Sequence, residues 1–70
     1  MDSLAGMQVF IRVVETGSFS RAAAALGTTQ PTATKAVAAA EKRLGARLLH
    51  RSTRGVTPTE NGEALYHHAK

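Results

Sequence analysis

The stretch that decides the fold is residues 18–45, SFSRAAAALGTTQPTATKAVAAAEKRLG. It contains two segments with helical apolar spacing, separated by a short Gly-Thr-Thr connection at 27–29. A connection this short, with glycine at its head, is typical of the turn in a helix-turn-helix unit, where two helices cross steeply. The stretch therefore predicts one helix from about residue 18 to Leu26 and a second over residues 30–44, ended by Gly45.

The first helix of this pair begins at Ser18 or Phe19, and the Ser18 hydroxyl can accept from the free amides of the first turn. Its apolar residues recur at i, i+3, i+4 and i+7, which predicts one buried face made of Phe19, Ala22, Ala23 and Leu26. Ser18 and Ser20 lie near the positive end of this helix, where a phosphate oxygen can bind. For Ser18, simple capping is the favoured alternative.

The second helix of the pair has Thr29 as its predicted cap and Pro31 in its first turn, where a missing amide costs little. Apolar spacings of four, three and four residues predict a buried stripe made of Ala33, Val37, Ala40 and Leu44. The opposite phase predicts a more exposed surface made of Thr32, Lys35, Ala36, Ala39 and Arg43.

An additional helix is predicted before this stretch, over about residues 3–15. Its apolar residues repeat every three to four positions, at Leu4, Met7, Phe10 and Val14. We expect this helix to pack in the core, with Phe10 near the centre.

The pattern changes after Gly45. Residues 46–49 and 55–57 predict two short strands, which flank the polar, cationic tip 50–54. Such a hairpin is a wing, and its strands are too short to be stable without the helices. At its edge, His50 has two open interpretations: a phosphate contact or partial burial beneath the wing.

A fourth helix is predicted from Pro58 to Lys70. Thr57 as cap, Pro58 at the first helical position and Glu60 three residues after the cap form a capping box. No capping signal ends this helix, so we expect the chain to be cut within it. The predicted fold is mainly α: a winged helix-turn-helix domain over 1–57, with a three-helix core and a two-stranded wing, followed by the start of a linker helix over 58–70.

The cationic residues are concentrated in one part of the chain. The net charge is +4 and the sequence pI is about 10.4. Residues 28–57 contain six Lys or Arg against Glu41 alone, a balance of +5, whereas residues 1–27 balance to zero and residues 58–70 to −1. Such a block indicates a polyanion-binding surface, although a solvated face that aids solubility is an equal alternative for the charge pattern alone.

Several classes of function lack support. The absence of cysteine excludes disulfides and thiolate metal sites. No apolar run approaches the roughly 20 residues of a membrane span, and the first residues lack the pattern of a signal peptide, so we expect a cytoplasmic protein. Glu60 and Glu63 have no partner base, and the adjacent His67 and His68 point in different directions on a helix. We therefore expect no enzyme activity, no metal and no cofactor.

The residues from Gln30 to Lys35 suit double-stranded DNA. The major groove accepts one α-helix, whose N-terminal half reads the base edges. Gln30 can pair with adenine, the threonine methyl groups can contact thymine, and Lys35 can reach guanine or a phosphate. On the wing, arginines can contact phosphates or enter the minor groove. The candidate DNA-binding residues are Ser18, Ser20, Gln30, Pro31, Thr32, Thr34, Lys35, Arg51, Thr53 and Arg54.

A second hypothesis is a protein-interaction module, in which the alanine-rich helix over 30–44 packs on a partner helix without DNA specificity. Salt dependence separates the two hypotheses, because DNA binding releases phosphate counterions.

The chain resembles the N-terminal DNA-binding domain of LysR-type transcriptional regulators over nearly all of its length. The resemblance rests on segments 10–15, 17–23, 26–27, 30–31, 34–35, 41–45, 47–49 and 60–62, together with Arg51, Arg54 and Thr57. It implies a winged helix-turn-helix fold in which a set of positions at the start of the second helix faces bases and backbone: Gln30, Pro31, Thr32, Thr34 and Lys35. A second set lies near phosphates or the groove at the wing: Ser18, Ser20, Arg51 and Arg54.

The resemblance also implies partners. Two chains are expected to pair through antiparallel linker helices, full-length regulators to form tetramers, and a small effector to bind a further domain absent from this chain. Three positions depart from the family pattern: Lys35 stands where Arg is usual, Ala40 where a larger apolar residue is common, and Leu49 where Phe is frequent. Because Lys offers a point charge, a bidentate guanine contact at position 35 is weakened.

Overall fold

The architecture is four helices and a two-stranded antiparallel hairpin, seen in a computed structural model that describes residues 2–53 and 55–69, with side chains over 6–53 and 55–68. The elements in chain order are α1 (Asp2–Thr16), α2 (Phe19–Leu26), α3 (Gln30–Leu44), β1 (Leu49–Ser52), β2 (Gly55–Pro58) and α4 (Glu60–Ala69). This order confirms the predicted winged helix-turn-helix fold.

The helix-turn-helix pair has the predicted caps. The Arg21 amide donates to Ser18 Oγ at 3.1 Å, and the Thr32 amide donates to Thr29 Oγ1 at 3.4 Å. Gly27 ends α2 in the left-handed conformation, with φ 70°. Gly45 ends α3 in the same conformation, with φ 68°. Both helices therefore begin at a hydroxyl cap and end at a glycine, as the local sequence favours.

The core lies where α1, α2, α3 and the start of the wing meet. Its buried residues are Val9, Phe10, Val13, Phe19, Ala22, Ala23, Ala33, Val37, Leu48 and Leu49. Small residues bring α1 and α3 together: a Cβ at Gly6 would lie only 2.7 Å from the Ala36 carbonyl oxygen. Ala36 is therefore half-buried against α1, and the prediction that it belongs to the exposed surface was wrong.

The predicted burial of Leu44 was also wrong, because this residue is 55% exposed. Its phase on α3 matches that of Val37 and Ala40, which are both buried. However, α1 approaches α3 beside Ala40 through Gly6, and Leu44 lies a full turn further along α3. Leu44 therefore projects past the end of the core, just before the chain turns at Gly45.

The first strand of the wing begins three residues later than predicted. Segment 46–48 lies outside the sheet, and β1 pairs with β2 from Leu49 opposite Pro58 to Ser52 opposite Gly55. The cause is a side chain: the Glu41 carboxylate accepts hydrogen bonds from the Leu48 amide at 2.8 Å and the Leu49 amide at 3.3 Å. Residues 50–52, predicted to belong to the tip, are therefore in a strand.

The start of α4 also differs from the prediction, because residues expected to begin this helix belong to the wing. Thr57 and Pro58 pair with β1 and are not available to cap a helix. Thr59 takes that role: its Oγ1 accepts from the Gly62 amide at 2.9 Å and donates to the Arg47 carbonyl at 2.6 Å. The predicted cap at Thr57 and helix start at Pro58 were therefore wrong, and α4 begins at Glu60. The domain boundary between residues 57 and 58 stays a prediction.

Membrane crossing finds no support in the described helices: none of them is long and apolar enough to span a bilayer.

The contact between α4 and the segment before the wing generates a stability prediction. A Cβ added at Gly62 would collide with the backbone carbonyl of Leu48, which the Thr59 amide also binds at 2.9 Å. We expect Gly62→Ala to lower the free energy of unfolding by about 1–3 kcal/mol, because the backbone must shift to relieve the overlap. Thermal unfolding followed by circular dichroism measures this loss.

The matched control is Asn61→Ala, at the neighbouring exposed position of the same helix. An equal effect of the two substitutions would contradict the proposed close approach of α4 to Leu48.

Candidate nucleic-acid interface

The first turns of α3 present a polar surface with a shallow depression. Its lining residues are Gln30, Pro31, Thr32, Thr34 and Lys35, the same five that the sequence predicted. Thr34 is half-buried, and the other four are exposed. The Thr29 cap and Pro31 in the first turn set the helix start, so that its polar end faces outward.

A hydroxyl pair orders one side chain of this surface. The Thr29 hydroxyl donates to Thr32 Oγ1 at 2.9 Å. A hydroxyl that accepts one hydrogen bond can still donate its own proton. Thr32 therefore presents a donor and a methyl group in a side chain whose oxygen is already held.

A second depression lies between α2, α3 and the wing. Its described lining residues are Gly17, Ser18, Phe19, Ser20, Gln30, Arg51, Ser52, Gly55 and Val56. Gln30 lines both depressions. The start of α3, the start of α2 and the wing therefore form one continuous surface, which we call the shared face.

Arg51 enters the shared face from β1. Alternate residues of a strand point to the same side, so Arg51 shares the inner side of the hairpin with buried Leu49. Its guanidinium carbon lies 4.5 Å from the centroid of the Phe19 ring, within cation–π range. The sequence predicted Phe19 only as a core residue, and no local signal indicated this contact because it depends on the register of the hairpin.

The other residues that the sequence proposed for DNA contact lie in different parts of the structure. Ser18 caps α2, which confirms the capping interpretation. Ser20 is exposed in the shared face, whereas Thr53 is exposed but lines neither depression. Arg54 lies outside the described residues. His50 is exposed, so its alternative of burial beneath the wing was wrong.

The electrostatics of the shared face are one-sided. Its described lining residues include the cations Lys35 and Arg51 and no carboxylate. Two other cations have acidic neighbours: Arg12 lies 3.8 Å from Glu15, and Arg47 lies 3.8 Å from Glu41. The shared face is therefore suited to an anionic ligand such as a phosphate backbone.

Metal binding finds no support in the part of the chain that the structure describes. No three His, Asp or Glu side chains lie close enough together there to hold an ion.

Two curated relatives are similar over almost the whole chain. An HTH-type transcriptional repressor of Pseudomonas aeruginosa is 46% identical over 66 residues, which cover 94% of this chain and 21% of that protein. The HTH-type transcriptional activator TtdR of Escherichia coli K12 is 48% identical over 63 residues, which cover 90% of this chain and 20% of that protein. The chain thus spans about a fifth of the length of these relatives.

Two solved structures share the fold. The BenM DNA-binding domain in complex with catB site 1 DNA has a TM-score of 0.90 and 36% identity, covering 94% of this chain and 74% of that one. Full-length CbnR in complex with its target DNA has a TM-score of 0.87 and 39% identity, covering 91% of this chain and 22% of that one.

The family model described as bacterial regulatory helix-turn-helix protein, lysR family, matches residues 4–63. Most of the chain lies within this match, and its helices and wing superpose on DNA-bound members. The chain therefore belongs to the LysR family and has the winged helix-turn-helix fold of these DNA-bound members.

Proposed function

We propose that this domain binds double-stranded DNA sequence-specifically, within a bacterial transcription regulator that acts in the cytoplasm. The observation that carries the proposal is the position of Gln30, which joins the start of α3 to the wing in one cationic surface. A helix start of this kind fits the major groove, while an adjacent wing can follow the backbone or enter the minor groove. The DNA complexes of BenM and CbnR, which share this fold, support DNA binding by this chain.

The side chains of the shared face divide into two roles. Gln30, Thr32 and Thr34 are assigned to base edges, because amide and hydroxyl groups offer both donors and acceptors. Lys35 reaches guanine or a phosphate. Arg51 is assigned to a phosphate or to the minor groove, and a phosphate contact needs no particular base.

Assembly is part of the proposal. We assign α4 to the start of a linker helix through which two copies pair, so that two α3 helices face half-sites separated by whole helical turns. Tetramers and a small effector belong to the full-length regulator, and we place effector binding outside this chain. The relatives are named as repressor and activator, which supports a binding role in preference to catalysis.

The protein-interaction hypothesis has less support. An interaction surface on α3 would depend on its exposed alanines, whereas the shared face presents amide, hydroxyl and cationic groups. The groups that the shared face presents match base edges and phosphates, whereas the core of a protein interface is depleted in charged residues.

The first prediction tests DNA binding itself. We select a preferred duplex from a randomised pool and titrate it with the protein at several salt concentrations, following fluorescence anisotropy. The logarithm of the association constant is expected to fall linearly with the logarithm of salt concentration, with a slope near −0.9 for each phosphate neutralised. A scrambled duplex of equal length is the control, and affinity independent of both salt and sequence would overturn the proposal.

The second prediction concerns base reading. Gln30→Ala is expected to weaken binding to the preferred duplex by about 1–3 kcal/mol and to relax base preference, because the amide pairing with a base edge is lost. The measurement is the dissociation constant on preferred and scrambled duplexes. Gln8→Ala removes an exposed glutamine of α1 and is the matched control. An equal loss on both duplexes would remove Gln30 from the base-reading role.

The third prediction concerns backbone contact. Arg51→Ala is expected to weaken binding to preferred and scrambled duplexes alike and to flatten the salt slope by about one unit, because one phosphate contact is lost. Arg12→Ala, which removes an exposed cation beside Glu15, is the matched control. An unchanged slope in Arg51→Ala would show that this guanidinium does not neutralise a phosphate.

A further inference from the structure

We propose that Phe19 is a positioning residue for DNA binding, because its ring holds the Arg51 guanidinium at the shared face before DNA arrives. The inference rests on the proposed function and adds a role that neither the helix pattern nor the charge pattern assigns to an apolar residue. It follows from the backbone of the wing, the packing of the ring and the geometry of the cation over it.

The wing holds the Arg51 backbone in place. Arg51 pairs with Val56 in the ladder, and its neighbour on the same side of the strand, Leu49, is 2% exposed. The start of β2 also lies against the turn before α2, since a Cβ at Gly55 would meet the Gly17 carbonyl oxygen at 3.5 Å. The hairpin therefore has a defined distance from the first residue of α2.

The ring is equally well held. Phe19 is the first residue of α2, directly after the Ser18 cap, and is only 5% exposed. It belongs to the same buried cluster as Leu49. A ring packed in this way cannot move aside, so it offers a fixed surface on which a cation can rest.

The contact leaves the cation free to act. Arg51 is exposed, and its guanidinium carbon lies 4.5 Å from the ring centroid. An aromatic ring attracts the cation without neutralising it, as a carboxylate would, and the N–H groups at the guanidinium edge can still donate to phosphate oxygens. An arginine already ordered on a ring loses less side-chain freedom when it binds a ligand.

The experiment is a double-mutant cycle on the preferred duplex, with Phe19→Leu, Arg51→Ala and the two combined. Phe19→Leu keeps an apolar side chain but removes the ring. We expect it to weaken DNA binding by about two- to five-fold, the range of an exposed cation–π contact, and to cause no further loss when Arg51 is already alanine. Val14→Ala, a partly buried apolar residue of α1 that lines neither depression, controls for a general loss of stability.

A second measurement uses NMR spectra of the domain without DNA, for the wild-type protein and for Phe19→Leu. In the free domain, the side-chain protons of Arg51 are expected to show upfield ring-current shifts in NMR spectra, and Phe19→Leu is expected to abolish them. These shifts are measured without DNA, so they are independent of binding affinity. The wild-type result also stands if Phe19→Leu fails to fold.

The outcomes separate the two proposals. Wild-type protein that binds no duplex overturns the proposed function and this inference with it. Wild-type protein that binds DNA, but with Arg51 protons unshifted or with equal losses from Phe19→Leu in both backgrounds, overturns only the role of Phe19.

Discussion

The position of the wing depends on one carboxylate. Glu41, in the last turn of α3, accepts hydrogen bonds from the backbone amides of Leu48 and Leu49 and so ties the beginning of the hairpin to the end of the helix. Hydrogen bonds to a charged acceptor are stronger than neutral ones, and these two also satisfy amides that have no strand partner. Its ion pair with Arg47 adds little, since the charged atoms are 3.8 Å apart and the arginine side chain is 73% exposed.

A second polar contact completes the wing on its other side. The Thr59 hydroxyl donates to the Arg47 carbonyl, and the Thr59 amide donates to the Leu48 carbonyl at 2.9 Å. The segment before β1 is therefore held by Glu41 from α3 and by Thr59 from the start of α4. Apolar packing of Leu48 and Leu49 supplies the burial, while these directional bonds fix where the strands lie relative to α3.

The difference between local signals and contacts with distant residues explains which features the sequence predicted. The helix-turn-helix pair depends on signals within a few residues, such as Ser18 and Thr29 at helix starts and Gly27 in the turn, and those predictions are confirmed. The beginning of β1 depends on Glu41, seven residues before Leu48, and the cap of α4 depends on strand pairing with β1. Neither is visible as a local pattern, so both boundaries were displaced.

The shared face also combines a part that local sequence predicts and a part that depends on long-range contacts. Its α3 portion is one continuous sequence segment, so residues 30–35 were recognisable together as a polar helix start. The contact between Phe19 and Arg51 joins residues 32 positions apart. It requires the hairpin register and the position of the hairpin, which Glu41 and Thr59 hold through the segment before β1. Among the described cations, Arg12 and Arg47 have a carboxylate neighbour, whereas Arg51 rests on an uncharged ring. All three side chains carry the same charge, but of the three only Arg51 lines the shared face, so its place in the fold decides which of them can meet an anionic ligand there.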